Sequence, residues 1–333
     1  MTTFSVSLPS GKTFAAEEGS TLVDAAAAAG VNLPYSCKTG RCSTCKCRLL
    51  SGESRALHEE TGLSDDEKAA GWILGCVRTP TTDVVLDVED LEGVQLPAQK
   101  TVPCRIDTIQ RLVDDVVKIE LRLPPTADFK FLAGQYVDVI GPGGVRRSYS
   151  LAAADRGTKK LEIHVRAVEG GVMSRYWFEQ AKPNDLLRLH GPLGTFFLRK
   201  TAGRDLVFLA TGTGIAPVKA MLESMSELPP EQLPRSVHVL WGGRRTQDIY
   251  FDVAAPGLPL TFTPVLSRQV PEWAGALGYV HDIYLGRSPA LDQVTVYACG
   301  SDAMIHSART ALAAAGLPER QFLSDAFVCS STS

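Results

Sequence analysis

Four of the eight cysteines in this chain are spaced as if for a common ligand. Cys37, Cys42 and Cys45 fit C-x4-C-x2-C, and Cys76, in Leu74-Gly-Cys-Val77, supplies a distant fourth thiol. That is the plant-type ligand spacing of a [2Fe-2S] cluster, in which one loop curls tightly around an inorganic core. Gly40 suits the curl, because a residue without Cβ takes positive φ at little cost. Ser36, Ser43 and Thr44 leave room for backbone N–H groups to face the sulfurs, one of the levers on reduction potential. Zinc is the competing occupant. Zinc ribbons pair two C-x2-C knuckles, however, and only Cys42 and Cys45 form one here. Cys47 opens a strand and reads as a small core residue, as do Cys104 and Cys329.

These thiols need a scaffold. A strand pair turns at Pro9-Ser10-Gly11, and an Ala-rich helix over about 22–29 starts at Ser20 or Thr21 and stops at Gly30. Ser64-Asp-Asp-Glu67 has the S-x-x-E form of a capping box and opens a short helix. With Glu59 and Glu60 it forms an acidic surface that could receive a basic partner, although carboxylates at a helix start also suit the dipole. Residues 84–88 alternate like a strand; 93–101 have no period and read as a linker, which closes a first domain at 1–92.

Between 102 and 200 come short strand-like runs, over 102–109, 117–123, 136–140, 161–167 and 186–190, the spacing of a small antiparallel barrel. Arg147 and Tyr149 within Arg146-Arg-Ser-Tyr-Ser150 share one strand face, so a guanidinium can hold a diphosphate while a phenol ring lies against a flat heterocycle, as a bound flavin dinucleotide requires. Gly171, Val172 and Ser174 precede a helical stretch through 179 and suit an anion. His164 and Arg166 alternate toward one face and could line the flavin edge; a satisfied surface pair is the plainer reading.

From 201 onward the pattern becomes strand, glycine turn, helix: the apolar run 206–210, then Gly212-Thr213-Gly214, then a helix with Pro217 in its first turn. Later runs at 237–241, 260–266 and 294–299 and a helix over about 302–315 make this a doubly wound α/β domain. Cys299 and Gly300 fall at a strand's carboxyl end, where such folds bind ligands, and the thiol would lie beside a nicotinamide.

Composition bounds the rest. A length of 333 residues suggests two or three domains, and 44% apolar against 21% charged residues is globular composition. A net charge of -3 lacks the basic excess of a nucleic-acid binder. The start has neither a secretion-signal layout nor a membrane-length apolar run, so a cytoplasmic protein with no membrane or nucleic-acid partner is expected.

In this order, R-x-Y-S at 147–150, G-x-x-S at 171–174, G-x-G-x-x-P at 212–217 and C-G-x-x-x-M at 299–304 resemble the ferredoxin-NADP reductase superfamily, joined to an N-terminal plant-type ferredoxin domain. The resemblance covers essentially the whole chain. It implies a β-grasp ferredoxin domain, an antiparallel β-barrel FAD domain and a doubly wound parallel-sheet NAD(P) domain at 201–333. It further implies that Ser148, Tyr149 and Ser150 meet the flavin, with Ser150 near its reactive nitrogen, and that Cys299 lies near the nicotinamide carbon that gives up hydride. Phe327 would cover the other flavin face. Ser267 and Arg268 resemble a pair that holds the NADPH 2′-phosphate, and Arg244 and Arg245 add charge nearby; the subfamily favours NADH. Segments 122–127, 131–136 and 322–328 look most like the CDP-6-deoxy-glucoseen reductase group, which delivers electrons to an iron-sulfur dehydrase, and reductase components of aromatic-ring dioxygenases and diiron monooxygenases look similar.

The expected activity is electron splitting: NAD(P)H gives two electrons together, FAD stands between, and the cluster hands them singly to a one-electron-accepting protein. No Ser/His/Asp or H-E-x-x-H signature competes. A non-catalytic sensor of redox state or NAD(P)H is the reading from another class, but no helix-turn-helix or basic tract would give it an output.

Overall fold

The computed structural model describes residues 2–91, 93–269 and 271–327, and Cys329 lies outside them. The chain divides into two compact units. One runs up to Leu96 and takes in the chain from Asp325; the other spans Pro97–Ser324.

In the first unit, polar–apolar alternation makes the strand Thr3–Ser7, paired antiparallel with Thr13–Glu17 across the expected turn. The sheet continues through Val84–Asp87 and Lys46–Ser51 to Trp72–Leu74. Thr3–Ser7 runs parallel to Val84–Asp87, while the remaining neighbours are antiparallel. The helix Leu22–Ala28 begins at Thr21, whose hydroxyl accepts the Asp24 N–H at 3.1 Å, which settles the choice of cap. It buries Leu22, Ala25 and Ala26 against Val6 and Leu86. The short helix Asp65–Ala69 carries both halves of the predicted capping box. One helix laid over a mixed sheet is the β-grasp arrangement.

The second unit holds a barrel and a parallel sheet. The barrel strands follow the order Arg146–Ser150, Tyr136–Ile140, Leu186–Leu193, Lys100–Val113, Val116–Arg122, Lys160–Arg166. An antiparallel bridge between Leu151 and Ile163 joins the last to the first. Alternation along each strand sends Ile106, Ile119, Leu121, Leu151, Ile163 and Leu189 to the interior, fully buried. Lys100–Val113 begins inside the stretch expected as linker, because Lys100 and Thr101 pair with Gly191 and His190.

The parallel sheet has the order Ala276–Leu277, Leu260–Leu266, Ser236–Gly243, Asp205–Thr211, Val294–Ser301, Phe322–Phe327. From Asp205–Thr211 the chain winds outward through three strands and then returns on the other side as Val294–Ser301. The winding reverses between these two strands, and ligands of doubly wound sheets bind at the carboxyl ends of such a pair.

Barrel strand Lys160–Arg166 and the helix Ile215–Met225 share a buried ionic chain. His164 Nε2 meets Glu162 at 3.0 Å, Lys219 meets Glu162 at 3.0 Å, and Lys219 meets Glu223 at 2.7 Å. Burial alone would raise the Glu162 pKa, but the bonds from His164 and Lys219 outweigh it and hold the carboxyl at about 2, against an ordinary 4.5. A depressed carboxyl contributes stability that is complete above its unfolded value and disappears as pH falls through its folded value. Urea unfolding is therefore expected to lose on the order of 2–3 kcal/mol between pH 5 and 2 from this group, and Glu162→Gln should flatten that part of the profile.

Candidate functional site

The cysteine loop is folded by three left-handed residues: Lys38, Gly40 and Ser43 have φ of 54°, 74° and 57°. A Cβ on Gly40 would stand 2.5 Å from the Glu59 carbonyl oxygen, so both its φ and its surroundings require glycine. The curl turns backbone donors toward sulfur. Thr39 N–H donates to Cys37 Sγ at 3.4 Å, and Cys37 N–H donates to Cys42 Sγ at 3.5 Å.

The four thiols form two touching pairs. A hydrogen bond from the Cys42 thiol holds Cys37 down at about 5, while Cys42 is pushed up. Cys45 bonds to Cys76 in the same sense, lowering Cys76 and raising Cys45. The pairs also feel each other's charge, Cys42 acting on Cys45 and Cys37 on Cys76. Beneath them Tyr35, Leu63, Leu74 and Val77 make an apolar bed. Converging thiols, N–H donors on sulfur and a dry floor fit a thiolate-held [2Fe-2S] cluster. Cys47 lies 2% exposed in the neighbouring core, its thiol pushed up to about 12 by burial, as expected of a packing residue.

Glu60 departs from the acidic surface expected of it. Its side chain is 5% exposed and faces Arg78, whose Nε and Nη2 donate to Oε2 at 3.0 and 2.7 Å. Oε1 accepts the Leu74 N–H at 2.7 Å. Two adjacent glutamates give no signal of which one is buried, and sequence reasoning missed this pair.

On the barrel, Arg147 and Tyr149 are half-buried along one face of Arg146–Ser150, with Arg146 and Ser148 exposed on the other. Tyr149 Oη accepts the Trp177 indole N–H at 2.9 Å, and burial pushes its phenol up to about 12. Ser148 donates to Asp138 at 2.6 Å, and Ser150 is buried. Gly171 precedes the single helical turn Val172–Arg175; Val172 is exposed and Ser174 Oγ accepts the Val168 N–H at 2.9 Å. His164 places both ring nitrogens on protein groups, Nε2 on Glu162 and Nδ1 on the Tyr250 hydroxyl at 3.1 Å.

Arg166 is different. Nη1 pairs with Asp248 at 2.9 Å and Asp115 at 3.4 Å, but Nε and Nη2 are sealed from solvent with no partner among the described residues. That open edge faces the glycine turn: the position of a Cβ on Gly212 is 3.9 Å from Nε. Buried donors without acceptors are costly, and a dinucleotide phosphate is an acceptor of matching charge.

The turn itself, Gly212–Gly214, connects Asp205–Thr211 to Ile215–Met225, with Pro217 buried in the first helical turn. It interlocks with the end of Val294–Ser301. A Cβ on Gly214 would stand 2.2 Å from the Cys299 carbonyl oxygen, and one on Gly300 would stand 2.2 Å from Thr211 Oγ1. Thr211 Oγ1 also accepts the Ser301 N–H at 3.1 Å, and the Cys299 thiol is buried between the strands. Farther along the same rim, Ser267 N–H donates to the Gly243 carbonyl at 2.9 Å, bringing Ser267 and Arg268 beside Arg244 and Arg245. All four of these residues are exposed. Asp248 accepts the backbone N–H groups of Arg244 and Arg245 at 2.7 and 3.0 Å, so this carboxylate, absent from the sequence reading, ties that rim to Arg166. Phe327 ends the outer strand, half-buried.

A cysteine-loop domain followed by a closed barrel and a parallel sheet with a glycine switch point defines an iron-sulfur flavoprotein reductase of the ferredoxin reductase kind. The chain belongs to that family: residues 6–81 match the 2Fe-2S iron-sulfur cluster binding domain, 103–198 the oxidoreductase FAD-binding domain and 208–310 the oxidoreductase NAD-binding domain. It is 43% identical over 324 residues to the CDP-6-deoxy-L-threo-D-glycero-4-hexulose-3-dehydrase reductase of Yersinia pestis, covering 96% of this chain and 97% of the relative. It is 32% identical to the xylene/toluene monooxygenase electron transfer component of Pseudomonas putida, over 94% and 90% of the two chains. The crystal structure of the Amycolatopsis cytochrome P450 reductase superposes with a TM-score of 0.74 at 30% identity, covering 98% of this chain and 100% of that one. The protein is an NAD(P)H-dependent electron-transfer reductase that uses FAD and a [2Fe-2S] cluster, and it serves an electron-accepting partner. Among the described residues no helix is long and apolar enough to cross a membrane.

The interlocked turns set a steric test. Gly214→Ala pushes Cβ into backbone rather than into a movable side chain, so a loss of about 1–3 kcal/mol in unfolding free energy is expected, together with weaker NAD(P)H binding in titrations.

Proposed function

We propose that Cys37, Cys42, Cys45 and Cys76 hold the cluster, and that the reductase delivers its electrons to an iron-sulfur dehydrase acting on a nucleotide sugar. The observation that carries the first part is the curled 37–45 loop, whose Thr39 and Cys37 N–H groups donate to the sulfurs of Cys37 and Cys42, while Cys47 packs in the core. The second part leans on the 43% identity, end to end, with a reductase of that description. The weaker likeness to a monooxygenase component supports an oxygenase partner as the second reading.

When bound, FAD would take the two electrons of one hydride from NAD(P)H, and the cluster would pass them on singly. The chain's own groups do the positioning. Arg147, with a planar guanidinium that can bind two oxygens at once, suits a flavin diphosphate, and Tyr149, fixed through its hydroxyl by Trp177, offers a ring face to the heterocycle. Ser148, Ser150, Gly171, Val172 and Ser174 are assigned to the same cofactor. His164 is assigned to hold the flavin edge from behind, since its nitrogens are occupied by Glu162 and Tyr250. Phe327 is assigned to shield the flavin.

Gly212, Thr213, Gly214 and Pro217 admit the nicotinamide coenzyme's phosphates, and Arg166 supplies its unpaired N–H groups to them. Cys299 and Gly300 border the nicotinamide, excluding water from the transfer. Ser267 and Arg268, with Arg244 and Arg245, suit the adenosine end, where NADH and NADPH differ.

Cys42→Ser is expected to remove cluster absorbance and transfer to one-electron acceptors of the cytochrome c type while flavin bleaching by NAD(P)H survives; loss of both together would refute the division of labour. Arg166→Leu should raise KM for the coenzyme roughly tenfold or more, as loss of a charge-assisted bond of about 1.5–3 kcal/mol implies, with kcat and flavin content little changed. Arg268→Ala should raise KM for NADPH more than for NADH. Reduction of a purified dehydrase faster than of an oxygenase component would support the partner assignment, and the reverse order would overturn it.

A further inference from the structure

Cys76 comes from a different stretch of chain than the other three thiols, so something must register the two arms. Residues 59–62 touch both. Toward the 37–45 loop, Gly62 N–H donates to the Gly40 carbonyl at 2.9 Å, and Ser43 Oγ donates to the Gly62 carbonyl at 2.5 Å. A Cβ on Gly62 would stand 2.6 Å from the Arg41 carbonyl oxygen, so the two segments lie backbone on backbone. Toward the other arm, the Glu60 carboxylate binds Leu74 N–H through Oε1 and the Arg78 guanidinium through Oε2. Leu74 and Arg78 stand two residues before and two residues after Cys76. The remaining Arg78 nitrogen, Nη1, donates to the Ser54 carbonyl at 2.9 Å and to Ser54 Oγ at 3.3 Å.

We propose that Glu60 and Arg78 are positioning residues for the cluster: a buried ion pair that grips the chain on both sides of Cys76, registers it against the 37–45 loop and sets the cluster's reduction potential. The inference rests on the four cysteines above being the ligands. Glu60 is 5% exposed and Arg78 22%, so solvent screens the pair weakly. Deleting one member leaves the other as an uncompensated charge beside Cys76. An extra electron on the cluster is favoured by nearby positive charge and opposed by negative charge, so the two deletions must act in opposite directions.

The test is a redox titration of the full-length, cluster-loaded protein monitored by electron paramagnetic resonance, with iron content measured in parallel. Glu60→Gln should raise the cluster midpoint by the one-electron equivalent of about a tenfold change in equilibrium constant, ~59 mV. Arg78→Gln should lower it by a similar amount, and the double variant should return toward wild type. Mere loosening of the fold does not give opposite signs. Shifts of the same sign, or no shift in fully loaded variants, would overturn the proposal. If either single variant loses its iron, the double variant decides: recovered iron supports the pair, and continued loss refutes it. Wild-type protein without a cluster signal would instead refute the ligand assignment itself.

Discussion

Close approach of backbone to whatever is to be held governs both ends of this molecule. At the cysteine loop, N–H groups must come within hydrogen-bond reach of sulfur, and a side chain at Gly40 would collide with the Glu59 carbonyl. Left-handed residues at Lys38, Gly40 and Ser43 achieve the curl. Two of these carry side chains, a conformation costing of order 1 kcal/mol or more for each non-glycine residue and retained where surrounding structure fixes it. Here the fixing comes from residues 59–62 and the apolar bed of Leu74 and Val77.

The parallel sheet solves the equivalent problem with neighbouring strands. Gly214 and Gly300 let the ends of Asp205–Thr211 and Val294–Ser301 interlock where the winding order reverses. The barrel contributes Arg166, held on one side by Asp248 and Asp115 and, on the other, buried with no partner among the described residues. Asp248 in turn binds the backbone of the Arg244–Arg245 corner, so one buried carboxylate orients the Arg166 guanidinium and a rim of surface arginines. Burial would raise its pKa, but these three donors keep it low and therefore charged across the working range.

Features set by nearby residues were legible in the sequence. The C-x4-C-x2-C loop, the Ser64 capping box, the Thr21 cap and the glycine turn before Pro217 each depend on a few consecutive positions. Features set by partners far along the chain were not. Glu60 reads as surface beside Glu59, since its partner Arg78 lies 18 residues away with no periodic link. The helix expected through 179 is instead one α-turn followed by a wider π-turn over Tyr176–Gln180. There the Ala181 N–H reaches back to Tyr176, while Tyr176 bonds Asp185 and Trp177 bonds Tyr149, so tertiary partners override the local pattern. Tyr250, which satisfies His164, sits on a loop that no periodicity marks.

The bridge between Leu151 and Ile163 also bears on how the protein behaves in crowded surroundings. By tying Leu151, just past the first barrel strand, to Ile163 in the last, it narrows the border of that sheet to which a stranger's backbone could add. Each open sheet has one brief border, Ala276–Leu277 in the parallel sheet and Trp72–Leu74 in the first unit's sheet, opposite the longer Phe322–Phe327 and Thr13–Glu17. The two brief borders offer little template for edge-to-edge aggregation, a useful trait in an electron carrier that must meet its acceptor repeatedly and let go.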